Sequence, residues 1–273
     1  MIISKYLKPG YLFLGILLLC LGCDKDDNTS NLPPLEEYIA TNNLTTEITA
    51  SGLHYIIDNP GTGRSPGQES TVRFSFVAKL TDGTVFSDSN GEQVYFNTRN
   101  FIQGLNEAIQ LLKEGGSGIF IIPHELAYGT SGFQNIPGSA DIIYEIEMTS
   151  VVIPVAFYIQ ENALSIDTTT ASGVKVIIEV EGDGNHPEES STVEIKYRGY
   201  FTDNYSFDSS GSDFVSLSLS QVIPGWREAI PVFSKGGKGK IFIPYTEGYG
   251  TTGSGPIPGR TDLIFDIELK DFF

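Results

Sequence analysis

The residues able to do covalent or metal chemistry are few in this chain and poorly placed for it. His54, His124 and His186 lie far apart, so the sequence predicts no metal centre. The chain repeats itself, yet no serine–histidine–acid set recurs in both repeats, which leaves hydrolysis by an activated nucleophile unsupported. Gly61-Thr62-Gly63 and Gly182-Asp183-Gly184 are not followed by a βαβ pattern. They are expected as hairpin turns rather than phosphate loops. What remains is a set of aromatics, of which Trp226 follows Gly225 and Tyr249 precedes Gly250. Aromatics pack cores everywhere, but these glycines put both residues near turns. A place near a turn speaks against a plain core role for these two.

The elements that must position these residues occur twice. Adding 121 to any position in Gly52–Met148 gives its counterpart in Gly173–Leu269, and 35 of the 97 pairs are identical without a gap. A unit of this length is a domain with its own core rather than a solenoid repeat. The copies should agree where the fold demands it and differ where a site or an interface does. Each copy reads mostly as strand. Val193–Tyr197 alternates with period two, and Gly118–Ile122 is a strand stopped by Pro123. Asp141–Met148 and Asp262–Leu269 alternate again and close the copies. One helix interrupts each, beginning near Gly104 and Gly225; Pro231 limits the second to about two turns, ending near Ile230. Gly115-Gly116 and Gly236-Gly237 are expected to end these helices. A short amphipathic leader precedes each copy. The domains are drawn at 35–149 and 155–273.

In the second copy, Tyr197-Arg198-Gly199, Phe207-Asp208-Ser209-Ser210, Val222-Ile223-Pro224-Gly225-Trp226, Ile243-Pro244, Tyr249-Gly250, Ile257-Pro258 and Leu263–Leu269 occur together. At this spacing they resemble the FKBP family of peptidyl-prolyl isomerases, and the resemblance covers nearly all of the chain after the amino-terminal segment. It implies an α+β fold: two tandem FKBP-like domains, each an antiparallel sheet around one short helix. It also implies that Tyr197, Phe207, Val222, Ile223, Trp226, Tyr249, Ile257 and Phe265 line a pocket with Asp208 at its edge. Trp226 would be the floor. The Tyr249 hydroxyl and the Ile223 amide would each bond a carbonyl of a bound peptide.

The chemistry of such a family explains these residue types. Rotation about an X–Pro bond requires neither nucleophile, metal nor cofactor. Its barrier, about 18–20 kcal/mol, is amide resonance, and the twisted transition state has lost much of the charge separation of the planar bond. A dry aromatic pocket therefore disfavours the planar state more than the twisted one. Removing about 5 kcal/mol gives three to four powers of ten in rate.

The first copy departs from the pattern. Phe76 replaces the tyrosine, Ser87 takes the place of Asp208, Leu105 stands for Trp226 and Phe101 for Val222, whereas Phe86, Ile102, Tyr128, Ile136 and Tyr144 keep their kind. These residues form a second candidate substrate-binding set.

Beyond the repeats, Lys5 and Lys8 precede an apolar run, Tyr11–Leu21, and then Gly22-Cys23. The run is short for a membrane span and suits a signal peptide over 1–22. Gly22-Cys23 resembles a bacterial lipobox, although Cys20 stands where leucine is usual. The resemblance implies a lipidated Cys23, a tether over 23–34 and a membrane anchor. Asp24–Asp27 resembles the sorting signal of Bacteroidetes-type outer-membrane lipoproteins, on the cell surface or the periplasmic face. The remainder has no cysteine, and its 15 basic against 34 acidic residues, a formal charge of −19, argue against nucleic acid as partner.

Two functional classes follow from the resemblance. One is a prolyl isomerase acting on proline-containing polypeptides among exported or envelope proteins and open to macrolide-type inhibitors. The other is a non-catalytic FKBP-fold peptide-binding or chaperone lipoprotein.

Overall fold

A computed structural model of the chain describes residues 31–67 and 70–273. The expected signal segment and Cys23 lie outside the described residues. Helix α1 (Leu35–Thr41) leads into a sheet of β1 (Glu47–Ile48), β2 (His54–Asn59), β3 (Thr71–Leu80), β4 (Val85–Asp88), β5 (Val94–Asn97), β6 (Ser117–Ile122) and β7 (Ile142–Val152), with α2 (Gln103–Gln110) packed on β6. The sheet order is β1-β2-β6-β7-β3-β4, β5 also pairs with β3, and every pairing is antiparallel. The second copy repeats this plan. Its helices are α3 (Val155–Glu161) and α4 (Pro224–Ala229). Its strands are β8 (Thr168–Thr169), β9 (Lys175–Val180), β10 (Thr192–Tyr200), β11 (Ser206–Ser209), β12 (Val215–Ser218), β13 (Lys238–Ile243) and β16 (Leu263–Phe272), with a small β14 (Gly253–Ser254) and β15 (Ile257–Pro258) hairpin.

The central helices touch their sheets through glycine. A Cβ on Gly104 would lie 2.3 Å from Ile122 Cγ2, and one on Gly225 would lie 2.5 Å from Ile243 Cγ2. Backbone thus rests directly on a strand side chain, and Ala108, Ile109 and Leu112 in one helix region, with Trp226, Ala229 and Ile230 in the other, complete the buried stripe. As proline chemistry requires, α4 stops at Ala229 and Ile230–Val232 tightens into a 3₁₀ turn.

Two sequence expectations change in the structure. Gly61–Gly63 and Gly182–Gly184 are not hairpin turns, because β6 and β7 separate β2 from β3 in the sheet. The first loop instead crosses over, with the N–H groups of Thr62 and Gly63 donating to Glu114 O at 3.1 and 3.3 Å. Gly115 and Gly236 do not end the helices, which stop well before them. Their N–H groups donate to Met148 O and Leu269 O, launching β6 and β13. Leu32, within the expected tether, packs against the first core.

The aspartates common to both copies, Asp141 and Asp262, explain the leaders. Asp141 accepts the N–H of Leu35 at 3.1 Å and of His124 at 2.9 Å; Asp262 accepts those of Val155 at 3.0 Å and Tyr245 at 2.8 Å. Each carboxylate pins a helix start to the loop after the β6-type strand. Burial still raises the Asp262 pKa, with these two N–H donors opposing it.

Candidate active site

In the second domain the sheet and α4 converge on an aromatic cluster. Tyr197 comes from β10, Phe207 and Asp208 from β11, Phe265 from β16, Trp226 from the first turn of α4, Tyr249 from the loop after β13 and Ile257 from β15. The indole meets the Tyr197 ring edge-on at 5.1 Å and the Phe265 ring at 5.1 Å, while Phe207 meets Phe265 at 5.6 Å, also edge-on. Such geometry places positive ring edges on negative ring faces and is worth about 0.5–1.5 kcal/mol per pair beyond burial.

Trp226, Ile257 and Phe265 are buried, whereas Tyr197, Phe207, Asp208, Val222, Ile223 and Tyr249 are half-buried. A buried floor thus carries a half-open rim. The indole Nε1–H is buried with no partner among the described residues. A cleft of about 370 Å³ lies elsewhere, between the domains, lined by Thr71 and Val152 on one side and Tyr245, Arg260 and Thr261 on the other. It lies apart from the Trp226 cluster, and Tyr245 is the one aromatic ring that lines it.

Gly199 permits the rings to close. It sits opposite Phe265 across β10 and β16, and a Cβ there would lie 2.6 Å from both the Phe207 and Phe265 rings. The counterpart in the first domain is Ala78, opposite Tyr144. There the rings stand further apart, with Phe86 and Tyr144 at 6.3 Å.

The polar groups of the rim are tied together. Tyr197 Oη donates to Asp208 Oδ2 at 2.9 Å. Burial and the negative charge of Asp208 both push the Tyr197 hydroxyl pKa up. The Tyr249 hydroxyl is pushed up to about 12, chiefly by burial and then by Asp208. Among the described residues Tyr249 Oη has no hydrogen-bond partner, and neither does the Ile223 N–H at the start of α4. Both residues pack against the cluster that holds Trp226, and each offers an unpaired donor there among the described residues. Asp208 bonds Tyr197 rather than its own turn, which makes it part of the rim.

The first domain brings Phe76, Phe86, Phe101, Ile102, Leu105, Tyr128, Ile136 and Tyr144 around one core. Leu105, Ile136 and Tyr144 are buried there. No indole is present. Its place in the aromatic count is taken by Phe101, which meets Phe74 at 5.8 Å and Phe96 at 5.9 Å, neither of which has an aromatic counterpart in the second copy. Phe133, half exposed, stacks on Tyr128 at 5.2 Å. The shifted acid is lost to the rim, for Asp88 Oδ1 accepts the N–H of Asn90 at 2.6 Å in the turn.

Phe96 and Phe133 were not singled out from sequence. Each aligns with a non-aromatic residue, Leu217 and Ser254, so pattern comparison with the second copy hides them. Among the described residues no group of three or more His, Cys, Asp or Glu is placed to hold a metal, and no helix is long and apolar enough to cross a membrane.

Comparison with known proteins agrees with this architecture. The model of the family described as FKBP-type peptidyl-prolyl cis-trans isomerase matches residues 62–149 and again 184–270. The chain is 34% identical over 134 residues to the FKBP-type peptidyl-prolyl cis-trans isomerase FkpA of Aeromonas hydrophila, covering 48% of this chain and 50% of that protein. It is 38% identical over 105 residues to FkpA of Escherichia coli K12, covering 38% and 39% respectively. A crystal structure of FkpA from Escherichia coli is similar at a TM-score of 0.40 with 30% identity, over 42% of this chain and 56% of that one. The chain thus spans half or less of the length of these two curated relatives and little more than half of the crystallised chain. With the family model matched twice, over more than half of its residues, the chain belongs to the FKBP-type peptidyl-prolyl cis-trans isomerase family.

Proposed function

We propose that this protein is a peptidyl-prolyl cis-trans isomerase whose second domain carries the activity. The observation that carries the reading is the Trp226 floor walled by Tyr197, Phe207 and Phe265, with the free donors of Tyr249 and Ile223 at its rim. A proline ring on the indole loses its water. The two donors hold the flanking carbonyls, and the imide between them twists in surroundings that no longer reward its planar dipole. The catalytic set is Tyr197, Phe207, Asp208, Trp226, Tyr249 and Phe265; Val222, Ile223 and Ile257 bind the peptide. Rapamycin-type macrolides would compete for the same floor. A protease-coupled assay on a proline tetrapeptide with the full chain tests this reading. It predicts acceleration that Trp226→Ala abolishes; none at micromolar protein would end it.

The first domain favours a second role. Without indole and without the Tyr–Asp pair, its phenylalanine-rich site suits holding apolar peptide segments without useful turnover. The clients would be exported or envelope proteins. We place the chain as a lipoprotein anchored through Cys23 at the outer membrane after loss of residues 1–22, with the domains at 35–149 and 155–273. Metabolic labelling with a fatty acid tests the anchor: label lost in Cys23→Ser supports it, and label retained contradicts it.

A further inference from the structure

The first domain docks on the outer wall of the second domain's aromatic pocket, and it does so largely with residues that the two copies do not share, Asp203 and Thr71 being the shared ones. Tyr95 on β5 packs edge-on against Phe201 at 4.9 Å, and Phe201, fully buried, packs against the pocket residue Phe207 at 4.8 Å. Tyr95 Oη donates to Asp203 Oδ2 at 2.7 Å, and Ser150 Oγ donates to the same oxygen at 2.6 Å. The guanidinium of Arg73 lies 4.5 Å from the centre of the Tyr205 ring and 5.6 Å from that of Tyr95. The hydroxyls of Thr71 and Thr261, each 3% exposed, bond at 2.9 Å. Thr261 closes the loop that follows Ile257-Pro258, and β5 runs alongside that β15 segment.

The asymmetry of the copies is informative. Tyr95 and Arg73 correspond to Ser216 and Glu194 in the second copy; Phe201, Tyr205 and Thr261 correspond to Leu80, Thr84 and Ala140 in the first. Neither set is demanded by the fold, since the other copy folds the same way without it. Both sets are used in one head-to-tail contact. The contact reaches the pocket twice, at the Phe207 wall and beside the β15 segment that carries buried Ile257.

We infer that the first domain completes the second domain's pocket, with Tyr95 as a positioning residue that seats Phe207 through Phe201 and steadies the segment that carries Ile257. This rests on the reading of that pocket as the prolyl-peptide site. Tyr95 touches no substrate. It removes freedom from two walls that do, and a wall displaced by a fraction of an ångström weakens peptide binding more than it slows the bound step.

The test uses the full chain with Tyr95→Ser, the residue of the other copy, and Tyr95→Phe, which keeps the ring and loses the bond to Asp203. Trp226 is the sole tryptophan, so acrylamide quenching of its fluorescence reads the pocket floor without any ligand. Tyr95→Ser is expected to raise quenching and to raise KM for a proline tetrapeptide about fivefold with kcat changed less than about twofold, and Tyr95→Phe to restore both. Should Tyr95→Ser fail to fold, Phe201→Leu breaks the same chain of rings one step further in and carries the same expectation. Unchanged quenching and KM would overturn the inference. If the wild-type chain shows no isomerase activity the proposed function fails, and the quenching comparison still decides this inference.

Discussion

The two domains share a sheet, a helix placement and a pair of anchoring aspartates, and they differ in what fills the hollow between them. In the second, Gly199 lets Phe207 and Phe265 approach to 5.6 Å over a buried indole, and Tyr197 and Asp208 pair across the rim. In the first, Ala78 holds the corresponding rings at 6.3 Å, leucine replaces the indole, and the displaced acid caps a turn. One scaffold thus carries a closely set aromatic cluster with a paired Tyr–Asp and a looser cluster whose polar groups are the Tyr128 and Tyr144 hydroxyls. The difference teaches that the fold rests on the residues that stayed, while a few substitutions remake the cluster it carries.

The largest effect that would break this comparison is expected from Trp226→Ala. It should abolish peptide binding at the second site and destabilise the protein by about 3–5 kcal/mol, whereas Leu105→Ala should cost about 2–5 kcal/mol and leave turnover unchanged. Urea melts and a peptide titration measure both, and equal losses of peptide binding would mean that the two sites are ranked wrongly. Next comes Gly199→Ala, which installs the first domain's residue. The added methyl must push Phe207 and Phe265 aside, and kcat/KM should fall by about tenfold, a change of about 1.4 kcal/mol. An unchanged kcat/KM would show that ring spacing is not what separates the copies.

A smaller effect is expected from Tyr197→Phe, again the first domain's residue. It frees Asp208 of its neutral hydrogen-bond donor, a bond of about 0.5–1.5 kcal/mol, so kcat/KM should drop by several-fold while the fold persists by circular dichroism. The smallest is a pH effect. Tyr249 titrates near 10 in an unfolded chain and at about 12 in place, so its contribution to stability is complete below pH 10 and declines as pH rises toward 12. Urea midpoints measured from pH 9 to pH 11 should fall more steeply for the wild type than for Tyr249→Phe. Parallel slopes would show that the hydroxyl is not buried as described.

Much of this was legible in the sequence because it was written twice. The offset of 121 separates positions that the fold needs from positions that are free, and Gly104 with Gly225 is a case where agreement marks a helix resting on a strand. Pro231 announced the shorter α4. The glycine pairs misled, since a Gly cluster marks a sharp backbone path without saying whether its flanking strands are neighbours. That depends on β6 and β7 inserting between β2 and β3, a long-range pairing with no local trace. The roles of Asp141 and Asp262 were equally hidden, because each carboxylate acts on a backbone N–H more than 100 residues away. Tyr95 carried no signal at all in its own copy; it becomes meaningful only when Phe201 of the other copy lies against it.

The central claim is that the second domain's aromatic hollow, and not the first's, loosens the X–Pro bond. Exchange NMR on a proline peptide, with the full chain carrying either Trp226→Ala or Leu105→Ala, measures cis–trans interconversion directly and without a protease. The account predicts fast exchange for wild type and Leu105→Ala and exchange at the uncatalysed rate for Trp226→Ala. Fast exchange that survives Trp226→Ala would contradict it.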